Sequence, residues 1–583
     1  YVADAATDAA YELWSVPLDG SAAPVSLCGP LTNGHRAGPF DVASDSSGVT
    51  YVLDSAPNHH RELYWVALDG AGARRRLSGT LVAGGSVAEG MLSPDGATAV
   101  FVADAEEDDV FQLYSVPVDL GEPRVRLSES PAGDWLAFHF NLEFTPDGAR
   151  VVYRSNQAAA AHFDLWSVPL DGGSAPLRLA LPGQGGDAGI ESFQIDPSGG
   201  WVLYSFLAPR GYELWSVRPE RSAEPRALQR ARRQTGGSSA FAATSARAVF
   251  VGDAATDELY ELWSRPLDGS ARALRLNSPL AADPLVGDVS LALWTPDGKS
   301  VVYRADQERD EQHGLYLVRT EESPAPRAVS ETGWPLATEL SPDGRWLAWR
   351  SFQSLFTAPL DGSQPPIERE IADSAGDPRN SPRSALITPD SRRVVFVKGL
   401  GYTHGPWIYR LFTTPIDAPG PSLRLSGDDF SDEIVVPRFV LSPDSRHVVY
   451  LELADRVASL RCAPLDGSSP SRALHAPLQL GDDIDHAFQL TPDGSQVVFV
   501  SDMDRDEVYE LYSAPLTRGA RRDGTALPVR LNAPLGPAQD VDRAFRISPD
   551  GRRVVYVADQ DVDDVFELYS APIDGSAAAL RIS

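Results

Sequence analysis

Residues 548–583 read S-P-D-G-R-R-V-V-Y-V-A-D-Q-D-V-D-D-V-F-E-L-Y-S-A-P-I-D-G-S-A-A-A-L-R-I-S. In the S-P-D-G segment, proline presets φ, aspartate bonds its own backbone and glycine adopts the left-handed conformation, so the segment predicts a hairpin turn. The segments V-V-Y-V and E-L-Y-S are rich in β-branched and aromatic residues and predict two strands. With the closing L-R-I and a strand over Ala544–Ile547 before the turn, this makes four strands in meander order, which is the blade of a β-propeller.

The same pattern recurs along the whole chain. Intact copies of the turn begin at Ser93, Thr145, Thr295, Ser341, Thr491 and Ser548. The third strand of each unit is centred on a leucine, and these mark twelve units, around Leu13, Leu63, Leu113, Leu165, Leu214, Leu262, Leu315, Leu355, Leu411, Leu460, Leu511 and Leu568. Because one such unit can bury its faces only against its neighbours, the sequence predicts an all-β propeller of twelve four-stranded antiparallel blades.

We expect a single domain, 1–583, with blades at approximately 1–28, 39–79, 87–128, 138–180, 190–229, 239–277, 288–330, 336–370, 384–426, 437–475, 486–532 and 543–583. One closed ring is predicted over two consecutive six-bladed propellers, because the join Asn277–Trp294 has the pattern of ordinary joins such as Asn532–Ile547. Propellers usually have 4 to 8 blades. With sheets about 10 Å apart, a ring of twelve has a mid-blade radius of roughly 19 Å and an open centre. Polar residues at equivalent inner-strand positions fit this opening, namely Glu143, Gln194, Glu339, Gln489 and Arg546.

The sequence opens at Tyr1–Asp4, which matches the middle of a V-V-Y-V-A-D strand. We therefore expect the innermost strand of the first blade, and its turn, to lie in upstream sequence. No apolar run of about 18 residues and no signal-peptide-like start is present, so no membrane insertion is expected.

The S-P-D-G turn, the V-Y strand and E-L-Y-x-x-x-L-D-G together resemble TolB-type, WD-repeat-like propeller repeats of bacteria over essentially the whole chain. The resemblance implies an extracytoplasmic protein, either periplasmic or secreted to the cell surface. It does not imply an activity, because similar repeats occur in a periplasmic interaction protein and in prolyl-peptidase-like enzymes. The chain departs from TolB in having twelve units instead of six and, we expect, in lacking the α/β domain that precedes the TolB propeller.

The net charge of the chain limits the classes of partner that we expect it to bind. The formal net charge is −30, with 81 acidic and 51 basic side chains. Nucleic acid is excluded as a partner because phosphate binding needs a basic surface, whereas an acidic surface favours cations and basic partners.

Cys28 and Cys462 lie in distant blades, beyond the roughly 7 Å that a disulfide spans. They are predicted to be free or buried thiols.

The sequence contains no G-x-S-x-G elbow and no α/β-hydrolase segment, which removes the serine-peptidase interpretation. We expect no intrinsic catalysis, and a monomeric scaffold or binding module for a protein, peptide or saccharide. The alternative is a hydrolase or lyase of propeller type that works in the channel with paired carboxylates.

Two acidic sets are candidate sites. The loops between second and third strands carry alternating carboxylates, most densely at Asp502, Asp504, Asp506, Asp559, Asp561 and Asp563. Oxygen ligands in one short loop suit Ca²⁺, although the EF-hand glycine and glutamate are missing. The alternative is a solvated acidic loop that blunts the sheet edges.

The second set precedes the innermost strands and is predicted to form a ligand-binding rim of the channel: Asp288, Asp483, Asp485, Asp540 and Asp542. Like charges at one rim concentrate cations or basic peptides. The preference of aspartate for turns and strand starts explains the same residues without a ligand.

Overall fold

The computed structural model describes residues 1–583 except 5–9, 33, 56–58, 130–141, 159–161, 183, 186–188, 210, 231–240, 244–246, 253–258, 281–287, 308–312, 322–324, 331–334, 353, 371–381, 402–406, 428–437, 455–456, 477, 479–483 and 518–527. Every regular element in the described part is a β-strand. No helix there is long and apolar enough to cross a membrane.

The strands of the first six blades follow one another along the chain. They are β1 (Val2–Ala3), β2 (Glu12–Ser15), β3 (Val25–Ser26); β4 (Arg36–Val42), β5 (Gly48–Ser55), β6 (His60–Ala67), β7 (Arg75–Arg76); β8 (Val87–Leu92), β9 (Thr98–Ala103), β10 (Gln112–Pro117), β11 (Val125–Arg126); β12 (Leu142–Phe144), β13 (Arg150–Ser155), β14 (Asp164–Pro169), β15 (Leu177–Arg178); β16 (Ser192–Ile195), β17 (Val202–Ala208), β18 (Gly211–Val217), β19 (Arg226–Gln229); and β20 (Phe241–Ala243), β21 (Arg247–Gly252), β22 (Glu261–Pro266), β23 (Leu274–Arg275).

The last six blades have the same order of strands. They are β24 (Val289–Trp294), β25 (Ser300–Ala305), β26 (Gly314–Arg319), β27 (Arg327–Ser330); β28 (Ala337–Leu340), β29 (Trp346–Arg350), β30 (Leu355–Pro359), β31 (Ile367–Glu370); β32 (Pro382–Ile387), β33 (Arg393–Gly401), β34 (Trp407–Pro415), β35 (Leu423–Arg424); β36 (Phe439–Leu441), β37 (His447–Ala454), β38 (Val457–Pro464), β39 (Arg472–Ala473); β40 (Ile484–Leu490), β41 (Gln496–Ser501), β42 (Glu510–Pro515), β43 (Val529–Arg530); and β44 (Val541–Ile547), β45 (Arg553–Ala558), β46 (Glu567–Pro572), β47 (Leu580–Arg581).

These strands form twelve sheets, and in each sheet every strand pairs antiparallel with the next strand along the chain. Eleven sheets have four strands and the first has three, β1 to β3. The predicted fold, a β-propeller of twelve blades, is confirmed.

The blades close into one ring through a repeated hydrogen bond. In the third strand of a blade a serine Oγ donates to a main-chain carbonyl of the following blade, as from Ser115 to Leu170 at 2.5 Å. The join between the sixth and seventh blades has this bond, from Ser264 to Thr320 at 2.8 Å. So does the join between the last blade and the first, where Ser570 donates to Leu18 at 2.6 Å. The single ring is therefore correct, and the alternative of two six-bladed rings is wrong.

The apolar core lies between adjacent blades. One cluster combines residues of the eleventh blade, such as Val498 and Leu511, with Phe545 and Tyr556 of the twelfth. In the second and third strands, facing aromatic rings stack, as Tyr556 and Tyr569 do with ring centroids 5.6 Å apart. Each blade thus depends on its neighbours for burial, as the repeat pattern predicts.

The S-P-D-G turns also connect neighbouring blades. Gly551 has a φ of 70°, the left-handed conformation that the turn requires. A Cβ placed on Gly551 would lie 3.2 Å from Cδ of Pro492, the proline in the turn of the preceding blade. Glycine therefore suits both the backbone conformation and the close packing here, while Ser391 and Ser445 hold the same turn position at φ of 62° and 58° in two other blades.

The two cysteines are free and buried, which confirms the prediction. Cys28 Sγ accepts the main-chain N–H of Leu13 at 3.2 Å. Ser583 Oγ plays the same role for Leu568 at 3.0 Å, so Cys28 replaces the usual last serine of the L-R-L-S segment. Cys462 stands where other blades have the joining serine, and its thiol donates to the Leu516 carbonyl at 3.8 Å. Burial raises the pKa of Cys462 to about 11.

Candidate functional site

Both acidic sets lie on one face of the ring. Successive strands in a blade are antiparallel, so the loops between second and third strands emerge at the same end of the sheet at which the innermost strand begins. The S-P-D-G turns and the D-G turns emerge at the opposite end. We call the first end the loop face, defined by the loop 559–566 and the segment 533–540 in the twelfth blade and by their equivalents in the other blades.

The acidic loops of the third, eleventh and twelfth blades share one conformation. Each begins with an aspartate that is 2% exposed, and each ends in a residue five positions later with a positive φ of 62° or 63°. The Oδ2 atom of the aspartate accepts the main-chain N–H of that later residue, in the pairs Asp104–Asp109 at 3.1 Å, Asp502–Glu507 at 3.3 Å and Asp559–Asp564 at 3.1 Å. The first carboxylate of the loop therefore closes the loop on itself.

The other oxygen of this aspartate holds the start of the innermost strand. Asp559 Oδ1 accepts the Asp540 N–H at 2.6 Å. Asp306 Oδ1 accepts the Asp288 N–H at 2.5 Å in the seventh blade. Both oxygens of Asp559 are thus used by main-chain donors, and its role in the loop is structural.

The remaining residues of the predicted Ca²⁺ set are exposed, and two of them form ion pairs with arginines of the outermost strands. Asp504 lies 3.5 Å from Arg530 and Asp561 lies 3.6 Å from Arg581, while Asp506 and Asp563 are exposed. Among the described residues, the three acidic side chains with oxygens within 4.8 Å of one another are Asp104, Asp108 and Asp109, in the third blade. The Ca²⁺ site at the eleventh and twelfth loops stays a prediction.

The sequence pattern did not predict the ion pair formed by an arginine in the outermost strand. The arginine of L-R-L pairs with the acidic residue that opens the third strand, in Arg178–Asp164 at 2.8 Å, Arg275–Glu261 at 3.0 Å, Arg530–Glu510 at 3.1 Å and Arg581–Glu567 at 2.9 Å. In the sequence, the arginine of the fourth strand and the acidic residue that opens the third strand recur together, and this recurrence could have predicted the ion pair. These arginines neutralise part of the loop face.

The rim aspartates connect consecutive blades. Asp540 Oδ1 accepts the N–H of Tyr509 in the preceding blade at 2.7 Å, and Asp288 Oδ1 accepts that of Tyr260 at 3.0 Å. Burial raises the pKa of Asp288, which the Tyr260 N–H partly offsets. The two carboxylates thus do the same structural work five blades apart.

The other rim residues belong to the eleventh and twelfth blades. Asp485 Oδ2 forms an ion pair with Arg543 at 3.0 Å, and Asp485 Oδ1 accepts the Ala487 N–H at 2.8 Å. Asp542 Oδ1 accepts the Ala544 N–H at 2.7 Å. Asp483 lies outside the described residues. Of the four rim residues that the structure describes, three lie in the adjacent eleventh and twelfth blades and Asp288 lies in the seventh, and the ligand-binding rim stays a prediction.

Three of the five predicted polar residues of the inner strands bridge neighbouring strands of the channel wall. Glu143 accepts the Ile195 N–H and Glu339 accepts the Ile387 N–H, both at 3.3 Å. Gln489 Nε2 donates to the Phe545 carbonyl at 3.0 Å. Burial raises the pKa of Glu143 and of Glu339. Each of these three side chains ties its innermost strand to that of the next blade, a role that proximity to water alone did not predict.

Comparison with known proteins adds little to this geometry. No family model and no curated protein matches the chain. Among solved structures, it is similar to one described as a TolB from Agrobacterium tumefaciens, at 19% identity over 44% of this chain and 84% of that one, with a TM-score of 0.24. It is also similar to the tricorn protease, at 13% identity over 94% of this chain and 62% of that one, with a TM-score of 0.24.

A third similar structure is an oligogalacturonate lyase from Vibrio parahaemolyticus, at 12% identity over 62% of this chain and 94% of that one, with a TM-score of 0.28. Such scores carry no argument about activity. The resemblance to TolB-type repeats is confirmed only as a likeness of propeller repeats, and the fold assignment rests on the sheet topology of the chain itself. The chain is a β-propeller of twelve blades.

Proposed function

We propose that this chain is a non-catalytic scaffold that binds a protein, peptide or saccharide on its acidic loop face, outside the cytoplasm. The observation that carries the proposal is the equivalence of the acidic groups. Asp288 and Asp540 make the same main-chain bond in different blades. The first aspartates of three acidic loops likewise make the same loop-closing bond.

Equivalence argues for binding because general acid and base catalysis needs two groups in unlike environments that separate their pKa values. A repeated set of like charges does not provide such a pair. It does raise the local concentration of cationic ligands. Exposed carboxylates such as Asp506 and Asp563 project from these loops, and basic peptides are therefore the first ligand class to test.

The experiment measures binding of a synthetic arginine-rich peptide of about ten residues, together with a panel of neutral glycans, to the native chain and two double variants. Asp506→Asn with Asp563→Asn removes two charges from the loop face. Glu122→Gln with Glu321→Gln removes two charges from the opposite end of the blades. If the loop face binds, only the first variant loses affinity for the peptide.

Equal loss in both variants would leave only a non-specific effect of net charge and would contradict the proposal. Turnover of a glycan, peptide or lactone that is lost in Asp485→Asn or Asp542→Asn would instead support a propeller hydrolase or lyase. Fractionation of producing cells tests the extracytoplasmic location, and light scattering tests the expected monomer.

A further inference from the structure

The outer edge of the ring carries an open pocket between the fifth and sixth blades. Its volume is about 550 Å³, and sites for small molecules have volumes of about 300 to 1,000 Å³. The outermost strand of the fifth blade, β19, lies on one side of the pocket. The end of the third strand of the sixth blade, β22, and the D-G turn after it lie on the other side. None of the described residues that line the pocket is acidic.

Three of the lining residues are arginines, namely Arg226, Arg230 and Arg265. Within the part of the chain that the structure describes, none of the three forms an ion pair with a carboxylate. Arg230 lies over the ring of Trp215 instead, 5.4 Å from its centroid. The chain has a formal net charge of −30, so three arginines without acidic partners make this pocket a local exception that attracts anions.

Arg265 occupies a position that is apolar in other blades. Val116 and Val168 stand at the same place, directly before the proline that ends the third strand, and each is 1% exposed. The guanidinium of Arg265 crosses to the fifth blade, where Nη1 donates to the Leu228 carbonyl at 3.1 Å. Its Nη2 has no hydrogen-bond partner among the described residues. Because other blades form this strand with valine, the repeat itself does not require a charge here.

Arg226 brings a second positive charge close to Arg265. A Cβ placed on Gly269 would lie 2.7 Å from Cδ of Arg226, so the Arg226 side chain packs across the D-G turn of the sixth blade. Burial lowers the pKa of Arg265, and the charge of Arg226 lowers it further. Two like charges held side by side destabilise each other, and an anion bound between them would offset that cost.

We propose that this pocket binds a phosphate or sulfate group, either as the free ion or as part of a small molecule. Arg226 and Arg265 hold the oxyanion from two adjacent blades, because the planar guanidinium group can donate two parallel hydrogen bonds to such a group. The volume of the pocket leaves room for more than a single ion, so we expect a monoester to bind more tightly than the free ion. The site is independent of the proposed binding surface on the loop face, which is acidic and attracts cations.

The test is calorimetry in a buffer without phosphate or sulfate, with glucose 6-phosphate, inorganic phosphate, inorganic sulfate and glucose as probes. We expect the native chain to bind one glucose 6-phosphate and to show no binding of glucose. Arg226→Gln should weaken the binding of glucose 6-phosphate by about tenfold, because it removes one of the charged donors to the oxyanion. Arg552→Gln removes the same charge from an exposed position in the twelfth blade and should leave the affinity unchanged.

Arg265→Val gives an independent readout, since it restores the residue that other blades have at this position. Millimolar glucose 6-phosphate should raise the melting temperature of the native chain but not that of Arg265→Val. Tighter binding of inorganic phosphate or sulfate than of glucose 6-phosphate would support the anion site and assign the free ion as its ligand. Glucose that binds as tightly as glucose 6-phosphate, an unchanged affinity in Arg226→Gln, an equal loss in Arg552→Gln, or no binding of any phosphate or sulfate probe would overturn the proposal.

Discussion

At the scale of single residues, a few side chains perform the same bond in blade after blade. Ser115 and Ser570 donate to the Leu170 and Leu18 carbonyls at 2.5 and 2.6 Å, and the second of these bonds joins the two ends of the chain. A buried carbonyl that loses its donor costs free energy, because water cannot replace the bond. The stability of the ring therefore depends on small hydroxyl groups at fixed positions.

Ser570→Ala and Ser115→Ala should lower the free energy of unfolding by similar amounts, about 1 to 2 kcal/mol each. The reason is that the closing bond and the internal bond have the same geometry. Urea denaturation of the two variants beside the native chain measures the effect. A cost for Ser115→Ala with none for Ser570→Ala would mean that the ring is open between its last and first blades.

His475 replaces the last serine of the L-R-L-S segment, and its Nε2 accepts the Leu460 N–H at 3.1 Å. Burial lowers the pKa of His475 below its ordinary value near 6.5. The folded state therefore takes up this proton less readily than the unfolded state. The neutral His475 side chain therefore contributes stability to the folded state. This contribution is complete above about pH 6.5 and is lost as the pH falls through the lower folded-state pKa.

His475→Asn should reduce this acid sensitivity, because Asn532 and Asn277 fill the same position in two other blades. Urea denaturation at about pH 7.5 and 5.5 compares this variant with His59→Asn, a control whose histidine side chain is 81% exposed. If His59→Asn and His475→Asn change the pH dependence of the free energy of unfolding equally, the buried imidazole of His475 does not cause that dependence.

At the scale of elements, the acidic loops raise the question of cation binding. The first aspartate of each described acidic loop is used by main-chain donors, so an ion at the eleventh and twelfth loops would depend on exposed carboxylates and water. Ca²⁺ takes 6 to 8 oxygens, and sites of this kind bind at roughly 10⁻⁴ to 10⁻³ M.

If Ca²⁺ binds only the folded chain, millimolar Ca²⁺ should raise the melting temperature above that in EDTA, and a hundredfold excess over the dissociation constant adds about 2.7 kcal/mol of stability. Asp504→Asn with Asp561→Asn should abolish the rise. Because Asp104, Asp108 and Asp109 form a tighter group, Asp108→Asn is the matched comparison. A melting temperature that Ca²⁺ does not change in the native chain would leave the solvated-loop interpretation.

The strands and turns could be predicted from sequence because they depend on local residue types. The S-P-D-G turn at Ser548 and the V-V-Y-V strand after it specify their own backbone conformation. The partners of the acidic residues could not be predicted in this way. Asp540 bonds Tyr509 of the preceding blade, and Asp504 meets Arg530 of the outermost strand. Such contacts depend on how blades pack, which a repeat pattern leaves open.

The number of blades in one ring is a property of the whole molecule, and local residue types do not determine it. The twelve repeats fit either one ring or two, and propellers of 4 to 8 blades are usual. Contacts between distant parts of the chain show that the blades form one ring. Tyr1 OH donates to the Ile582 carbonyl at 2.8 Å, the bond that Tyr153 makes to Leu127 between neighbouring blades at 3.3 Å.

The most direct test of this account is electron microscopy of single particles viewed along the ring axis. The structure predicts one disc with twelve sheets around an open centre, and the closing blade should be as well defined as the others. Two smaller discs of six blades each, or a ring with a gap between its first and last blades, would contradict it.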